Sequence, residues 1–281
     1  MERIRLSTAA DIPALRRLWT LAFGDGGAYL DNFFDCYYRP ERMIVLEQKG
    51  TVLAMTAWFD TTFVLPGTGE YRAAYLYAVA THPDHRGQGL FGRLLAWADG
   101  YFRTLNIPAV TTVPATPSLH NFFASNGFRE CFCHDEVHIV PNENTVPCTL
   151  SPISAAEYGR LREDFLAGQP HIFLPEDAIT YQQGCSRISG GGLYAAQSPA
   201  GRCILCSEGM ENGTLLVKEL LGQPSACEEI VQNLHSILPG FSGFCRLPGK
   251  TVPFGMLKWL DKSRAVGWNW NNLAYLGLAF D

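Results

Sequence analysis

The sequence predicts an α/β (α+β) protein built from two similar halves, and three observations carry this prediction. Strand patterns and amphipathic helix patterns alternate along the 281 residues. The segment PNENTVPCTLSP, residues 141–152, holds three prolines and few large apolar residues, which is typical of a linker. Beyond it the order of elements repeats, which favours an internal duplication. We therefore expect domains at residues 1–140 and 153–281.

Local signals define the elements of the first half. Residues 2–7 alternate as a short strand, and the Thr8–Asp11 capping box opens a helix that stops at Gly24. The turn Lys49-Gly50 separates two strands of a hairpin. The predicted elements after the first helix are a helix at 29–38, strands at 43–48, 51–59 and 71–81, a helix from 90 to 102, a strand at 109–113, a helix at 118–125 and a strand at 128–139.

The second half begins with the same kind of helix signal as the first. Ser154-Ala155-Ala156-Glu157 is a second capping box, and it again follows a Leu-Ser pair. Two helices are expected after it. The remaining predicted elements are strands at 192–197, 202–208 and 214–221, a helix at 226–238, and strands at 241–247 and 274–280.

Composition excludes several classes of protein. The formal net charge is −5, so no global basic field attracts nucleic acid or an anionic membrane. No stretch reaches the run of about 18 apolar residues that a membrane helix needs. The N-terminus, MERIRLSTAADIP, has no apolar run typical of a signal peptide, so the nine cysteines are interpreted as reduced thiols in a cytoplasmic protein.

A glycine-bearing turn between a strand and a helix is the main candidate for a binding site. The turn reads Arg86-Gly87-Gln88-Gly89, and Gly92 follows in the first turn of the helix. The first N–H groups of a helix lack internal partners and favour an anion such as phosphate. The Lys-Ser/Thr pair of a P-loop is absent, and a dinucleotide-type glycine spacing is a weak signal alone. A plain glycine-rich turn stays open as an alternative.

Two segments together resemble one family. THPDHRGQGLFGRLL resembles motif A of the GNAT superfamily of acyl-CoA-dependent N-acetyltransferases, although Phe91 stands where a small residue is usual. SLHNFFASNGF resembles the family's LYEKLGF signature at Asn126-Gly127-Phe128. The order of elements in residues 2–140 also fits this family. The Leu90-Phe91 pair is similar to the tandem-GNAT type represented by the enhanced intracellular survival acetyltransferases.

The resemblance implies a fold, a cosubstrate and a reaction. Each half would be GNAT-like, a mixed, mostly antiparallel twisted sheet flanked by helices. The first half would bind acetyl-CoA and pass its acetyl group to an amine acceptor. The second half reads Gly222-Gln223-Pro224-Ser225 where the loop would be, so we expect a degenerate GNAT-like domain without cofactor. The implied cofactor residues are Val79, Ala80 and Thr81 beside the pantetheine arm, and Arg86, Gly87, Gln88, Gly89, Leu90, Phe91 and Gly92 around the pyrophosphate.

The catalytic groups follow less directly from the resemblance. In family members, a tyrosine that acts as the general acid often lies four residues before the signature glycine, and this chain has Phe123 at that position. His120 and the strand residue Tyr77 are candidates to replace it, and a surface or packing role is the alternative for each. The C-terminal carboxylate of Asp281 is a candidate base, with a solvated terminus as the alternative.

Other polar clusters carry weaker signals. Cys131-Phe132-Cys133-His134 and His138 have metal-like spacing, but alternation on a strand separates the cysteines from the histidines. The same alternation separates Cys203 from Cys206, so we expect no metal site. Four acidic residues suggest a cationic acceptor, with surface solvation as the alternative: Asp25, Asp31, Asp35 and Asp60.

Two other functions compete with acetyl transfer. Phe123 favours a CoA-binding sensor or scaffold with weak or no catalysis. A tandem-GNAT aminoacyl transferase would use aminoacyl-tRNA, and the acidic balance of the chain disfavours it. The sequence does not identify the acceptor.

Overall fold

The computed structural model describes residues 2–138, 146–210, 214–238 and 243–280. The chain forms two compact units, each made of three segments. Unit 1 comprises Met1–Phe63, Glu70–Glu130 and Met256–Asn269; unit 2 comprises Val64–Gly69, Cys131–Gly255 and Trp270–Asp281. These bounds differ from the predicted boundaries at residues 140 and 153, because unit 1 takes a segment from near the end of the sequence.

Residues 2–125 contain five strands and four α-helices. Helix α1 begins at Ile12 because a short 3₁₀ turn, Ala9–Asp11, follows the Thr8 cap. Helix α2 continues into a π-helical turn at Phe33–Tyr37. In chain order the elements are β1 Glu2–Leu6, α1 Ile12–Phe23, α2 Ala28–Asn32, β2 Met43–Gln48, β3 Thr51–Leu65, β4 Gly69–Thr81, α3 Leu90–Thr104, β5 Ala109–Thr112 and α4 Pro117–Ser125.

The rest of the described chain adds eight strands and three α-helices. Ser154 caps the first of these helices by accepting a hydrogen bond from the Glu157 N–H at 3.1 Å. In chain order the elements are β6 Arg129–His138, β7 Thr149–Pro152, α5 Ala155–Leu166, β8 His171–Phe173, α6 Glu176–Ile188, β9 Gly192–Ser198, β10 Gly201–Gly209, β11 Leu215–Gly222, α7 Pro224–Ile237, β12 Phe244–Pro248 and β13 Val252–Trp259.

The sheet of unit 1 runs in the order β1-β2-β3-β4-β5-β13. Its β1–β2, β2–β3 and β5–β13 pairs are antiparallel, and β4–β5 is parallel. Helix α3 packs on this sheet through a continuous apolar core, since its Leu94, Leu95, Ala98 and Phe102 are all buried. This core fixes the position of the α3 N-terminus relative to β4.

The sheet of unit 2 repeats the same pattern. Its order is β7-β9-β10-β11-β12-β6, with a parallel β11–β12 pair at the position that β4–β5 occupies in unit 1. The other pairs are antiparallel. The predicted mixed, mostly antiparallel α/β fold is therefore confirmed.

Strand β13 is the main element that the sequence prediction missed. It pairs with β5 in unit 1, from Met256 opposite Thr112 to Trp259 opposite Ala109. Strand β6 instead pairs with β12 in unit 2. The last position in each sheet is thus filled by a strand from the other half of the sequence.

Two local predictions need correction. Residues 274–280 form no regular strand, because only Ala274 and Tyr275 make isolated bridges and Gly277 has a left-handed φ of 72°. The predicted linker contains strand β7, whose Thr149–Pro152 backbone pairs with β9. Residues 141–145 and Asp281 lie outside the described residues.

Candidate functional site

Strands β4 and β5 run together and then separate. Their parallel register extends from Ala73–Ala109 to Leu76–Thr112, whereas β4 continues to Thr81. In the described chain, residues 78–81 therefore have no strand partner on the side where β5 would lie. An unpaired strand edge offers N–H and C=O groups to an extended ligand.

A bulge in β4 accompanies this separation. Ala78 has a positive φ of 49°, which is unusual for a residue other than glycine. Leu76 and Val79 both contact the core cluster beneath α3, although residues three apart on a regular strand point to opposite faces. The bulge reverses the side-chain alternation and redirects the end of the strand.

The turn after β4 presents a row of backbone amides. Gly87 and Gly89 have φ values of 76° and 69°, which glycine adopts without steric cost. In the part of the chain that is described, the six N–H groups from Gly87 to Gly92 donate to no backbone carbonyl, and no side chain caps α3. Such a row at a helix N-terminus is an anion-binding arrangement.

The surroundings of the turn leave this row accessible. Residues 86–89 are exposed, and a side chain added at Gly87 or Gly92 would meet no atom within 4 Å. Arg86 donates from Nε to the Thr81 carbonyl at 3.4 Å, so the guanidinium stands between the end of β4 and the turn. Of the residues predicted for cofactor binding, 86–89 are thus exposed, whereas Ala80 and Leu90 are buried.

Phe123 stands where the family resemblance would place a tyrosine acting as the general acid, and its ring is packed in the core. Phe123 is 2% exposed and packs against Phe128 and Phe91 with ring centroids 5.2 and 6.0 Å apart. His120, one turn earlier on α4, places Nδ1 2.8 Å from Oε1 of Glu130. The histidine is therefore engaged with a carboxylate.

Tyr77 lies on β4 directly before the bulge. Its half-buried ring packs 5.5 Å from Trp19, 5.3 Å from Phe59 and 6.0 Å from Phe33, measured between ring centroids. Tyr75, two residues earlier, is buried. An aromatic cluster thus lines the face of β4 opposite α3. Of the predicted catalytic residues, the structure describes Tyr77 and His120, and Asp281 lies outside the described residues.

Three of the four acidic residues suggested for an acceptor already have partners in unit 1. Asp25 accepts a hydrogen bond from Trp19 Nε1 at 2.9 Å, and Asp60 pairs with Arg42 at 2.9 Å. Asp31 pairs with Arg16. Asp35 is exposed. The two arginine pairs, at Asp31 and Asp60, reduce the negative charge offered to a cationic acceptor.

The cysteines of the C-x-x-C face opposite sides of β10. Cys203 Sγ lies 3.7 Å from Cys227 Sγ on α7, whereas Cys206 Sγ lies 3.5 Å from the Ser186 hydroxyl on α6. The predicted divergence of these two side chains is confirmed. Within the described ranges no group of three His, Cys, Asp or Glu side chains has the geometry to hold a metal ion.

Unit 2 has no amide row at the corresponding turn. Gln223 precedes α7 with an ordinary φ of −67°, and Pro224, which has no N–H, occupies the first helical position. A side chain added at Gly222 would stand 2.5 Å from Cys203 Sγ, so this glycine serves close packing.

The strand before that turn carries buried charges. Glu219 of β11 is fully buried and accepts from Arg162 Nε at 3.2 Å and from the Tyr158 hydroxyl at 2.8 Å. Lys218 is equally buried and pairs with Glu208 at 3.3 Å. Burial, followed by the charge of Glu219, raises the pKa of Tyr158 well above its ordinary value. These side chains form hydrogen bonds and ion pairs with one another inside unit 2.

Two supporting residues were not found from the sequence. Arg93 on α3 contacts Glu2, and Lys258 on β13 contacts Asp99 on α3. Both pairs join residues far apart in sequence, and no local pattern signals them.

Residues 3–129 match the family model for the acetyltransferase (GNAT) domain. The resemblance to this family that was found in the sequence is therefore confirmed. No curated protein sequence matched the chain.

Solved structures share the fold over nearly the whole chain. A probable N-acyltransferase from Enterococcus faecalis V583 aligns with a TM-score of 0.70 and 13% identity, covering 94% of this chain and 74% of that one. A GCN5-related N-acetyltransferase from Kribbella flavida has a TM-score of 0.68 and 16% identity, with coverages of 95% and 73%. Eis1 from Mycobacterium abscessus has a TM-score of 0.68 and 13% identity, with coverages of 94% and 75%. Across the described residues, every helix is too short or too polar to span a bilayer.

Proposed function

We propose that this chain is an N-acetyltransferase that moves an acetyl group from acetyl-CoA to an amine. The single observation that carries the proposal is the row of amides from Gly87 to Gly92, which donate to no carbonyl of the described chain and directly follow the edge of β4 beyond its pairing with β5. The match of residues 3–129 to the GNAT domain supports the same chemistry.

The amide row suits a pyrophosphate. Its N–H groups donate without rearrangement, and the α3 dipole adds partial positive charge at the same end. The exposed guanidinium of Arg86 adds a full charge. The edge of β4 at Val79, Ala80 and Thr81 suits the pantetheine arm, whose amides alternate donors and acceptors as a strand does.

Acetyl transfer needs an uncharged amine beside the thioester carbonyl. An amine of the lysine type has a pKa of about 10.4, so holding it neutral at pH 7 costs about 4.6 kcal/mol. Positioning both reactants can contribute about 7–11 kcal/mol. We therefore expect binding and orientation to supply most of the rate enhancement, with proton transfer as a smaller contribution.

Tyr77, His120 and Asp281 remain the proposed proton-transfer groups. Tyr77 is favoured as the acid for the departing thiolate because it directly precedes the bulge at Ala78. Tyr77→Phe should then lower kcat by about 10²- to 10⁴-fold, the usual contribution of a general acid or base. His120→Gln tests the alternative acid, which is bonded to Glu130 in this structure, and a larger loss of kcat in this variant than in Tyr77→Phe would assign the acid to His120.

A CoA-binding sensor or scaffold is the second candidate function. The observation in its favour is Phe123, which occupies the position of the usual acid and is buried in the core. A sensor would bind CoA but would release no thiol with any amine.

Thiol release from acetyl-CoA, measured against a panel of small amines and peptides, tests the proposal. We expect release with the wild-type chain and loss of it in Gly89→Val, whose residue 89 has a φ of 69° in the amide row. Gly168→Val is the matched control, because Gly168 has a φ of 82° and open space around it in unit 2. CoA binding without thiol release would favour the sensor, and absence of both would contradict the acyl-CoA proposal.

A further inference from the structure

Arg93 makes a side-chain hydrogen bond to the turn that carries the amide row. It lies in the first turn of α3 and donates from Nη1 to the Gln88 carbonyl at 2.9 Å. The same guanidinium donates from Nε and Nη2 to the two carboxylate oxygens of Glu2, both at 3.0 Å. Arg93 therefore joins the turn to the beginning of β1.

The bond to Gln88 fixes the direction of the next amide. In a trans peptide the C=O and the following N–H point in opposite directions, and the described chain contains no cis peptide. When the Gln88 carbonyl points towards Arg93, the N–H of Gly89 must point away from it. Glycine tolerates either orientation of this peptide, so the sequence of the turn alone does not fix it.

The alternative orientation would be unfavourable for an anion. Rotation of the Gln88–Gly89 peptide would turn the carbonyl oxygen towards the side to which the Gly89 N–H now points, replacing a potential donor with a partial negative charge. Breaking the Arg93–Gln88 hydrogen bond is required for this rotation. The Arg93–Gln88 hydrogen bond therefore favours the peptide orientation in which the Gly89 N–H can donate to an anion.

Glu2 holds Arg93 in turn. Its carboxylate makes a two-point contact with the guanidinium and also accepts from Gln48 Nε2 on β2 at 2.8 Å. Such a two-point contact fixes the plane of the guanidinium. The pKa of Glu2 is lowered, chiefly by its hydrogen bond from Arg93, so the carboxylate is charged at neutral pH. The charge of Arg93 is consequently balanced within unit 1.

We propose that Arg93, held by Glu2, is a positioning residue for acyl-CoA that orients the Gln88–Gly89 peptide towards the pyrophosphate. This inference rests on the proposed acyl-CoA function. It differs from direct recognition, in which Arg93 would leave Glu2 and contact a phosphate itself.

Variants of both residues separate positioning from direct contact. Arg93→Met should raise the Kd for CoA about tenfold, the effect of a free-energy change of about 1.4 kcal/mol. Glu2→Gln should also weaken binding, because it loosens the guanidinium. Direct contact predicts the opposite for Glu2→Gln, since losing the carboxylate would free Arg93 for phosphate. Tighter binding in Glu2→Gln would therefore overturn the proposal.

The choice of acyl donor gives a second readout. Arg93→Met should raise the KM for acetyl-CoA and leave kcat nearly unchanged. With acetyl-pantetheine, which lacks the pyrophosphate, wild type and Arg93→Met should perform alike. Arg103→Met, at an exposed arginine in the last turn of α3, is the matched control and should match wild type with both donors. Thermal melting of each variant checks that it folds.

The outcomes distinguish this inference from the proposed function. If wild-type protein binds no CoA, the acyl-CoA function itself fails. If wild type binds CoA and Arg93→Met binds it equally well, the positioning role fails while the function stands. A loss of activity in Arg93→Met that is equally large with acetyl-pantetheine would also contradict the positioning role.

Discussion

Lys258 donates from Nζ to Oδ2 of Asp99 at 2.5 Å, which ties strand β13 to helix α3. Both side chains are largely shielded from water, with 16% and 11% exposure. The Lys258 ammonium also lies 5.5 Å from the centre of the Phe128 ring. The helix that presents the amide row is therefore braced by a residue from near the end of the sequence.

Loss of this ion pair should destabilise unit 1. We expect Lys258→Met to lower the free energy of unfolding by about 1–3 kcal/mol, because it leaves a shielded carboxylate without its charged partner. Chemical denaturation measures the change. Lys262→Met, at an exposed lysine nearby, is the control and should stay close to wild type. Equal stability of the two variants would show that the Lys258–Asp99 pair contributes nothing.

Because β13, from the second half of the sequence, pairs with β5 in unit 1, we predict that residues 1–140 do not fold alone. Without β13, strand β5 loses its antiparallel partner, and the core of unit 1 loses Met256 and Leu260. We expect this fragment to show no cooperative melt, and fragments 1–140 and 141–281 to fold together when they are co-expressed. Thermal melting followed by circular dichroism tests this. A cooperative melt of fragment 1–140 by itself would contradict the role of β13.

Asp11 should make stability depend on acid pH. Its two carboxylate oxygens bind the Arg5 guanidinium at 2.7 and 2.9 Å, and this interaction lowers the Asp11 pKa from 3.8 to about 2. Because the folded-state pKa is depressed, the stabilisation of about 2 kcal/mol is complete above about pH 5 and is lost as the pH falls through 3.8 towards 2.

The pH profile of Asp11→Asn checks this sign. We expect the variant to be less stable than wild type at pH 7, with the difference shrinking below pH 4. Asp164→Asn serves as the control, since Asp164 forms an exposed pair with Arg160. A stability difference that stays constant down to pH 2 would mean that the Asp11 charge is not responsible.

The thiols should divide into two reactivity classes. Seven of the nine free cysteines are buried, and only Cys36 and Cys148 are partly exposed. Burial raises the pKa of Cys206 and that of Cys245, which disfavours the reactive thiolate. Titration with a thiol reagent should modify at most two groups rapidly in the native protein and all nine after denaturation. Rapid native modification of more than two would contradict the described packing.

The sequence predicted the local elements well because their signals are local. The turn at Arg86–Gly89 needs glycine at two positive φ values, and such requirements are visible as residue types. The order of strands and helices follows from periodicity. Strand β13 was missed because VPFGMLKW contains a proline and a glycine, and its partner β5 lies more than 140 residues earlier.

The supporting contacts of the site could not be predicted for the same reason. Arg93 and Glu2 are 91 residues apart, and Lys258 and Asp99 are 159 apart. Only the fold brings these residues together. The proton-transfer group also stays a prediction, because Phe123 removes the residue that the family signature would supply at that position.

Calorimetric titration of the intact chain with acetyl-CoA tests the central claim most directly. We predict one binding site per chain, abolished by Gly89→Val and retained in Gly168→Val. Absence of binding in the wild-type chain, or a stoichiometry of two, would contradict the assignment of a single acyl-CoA site to the amide row of unit 1.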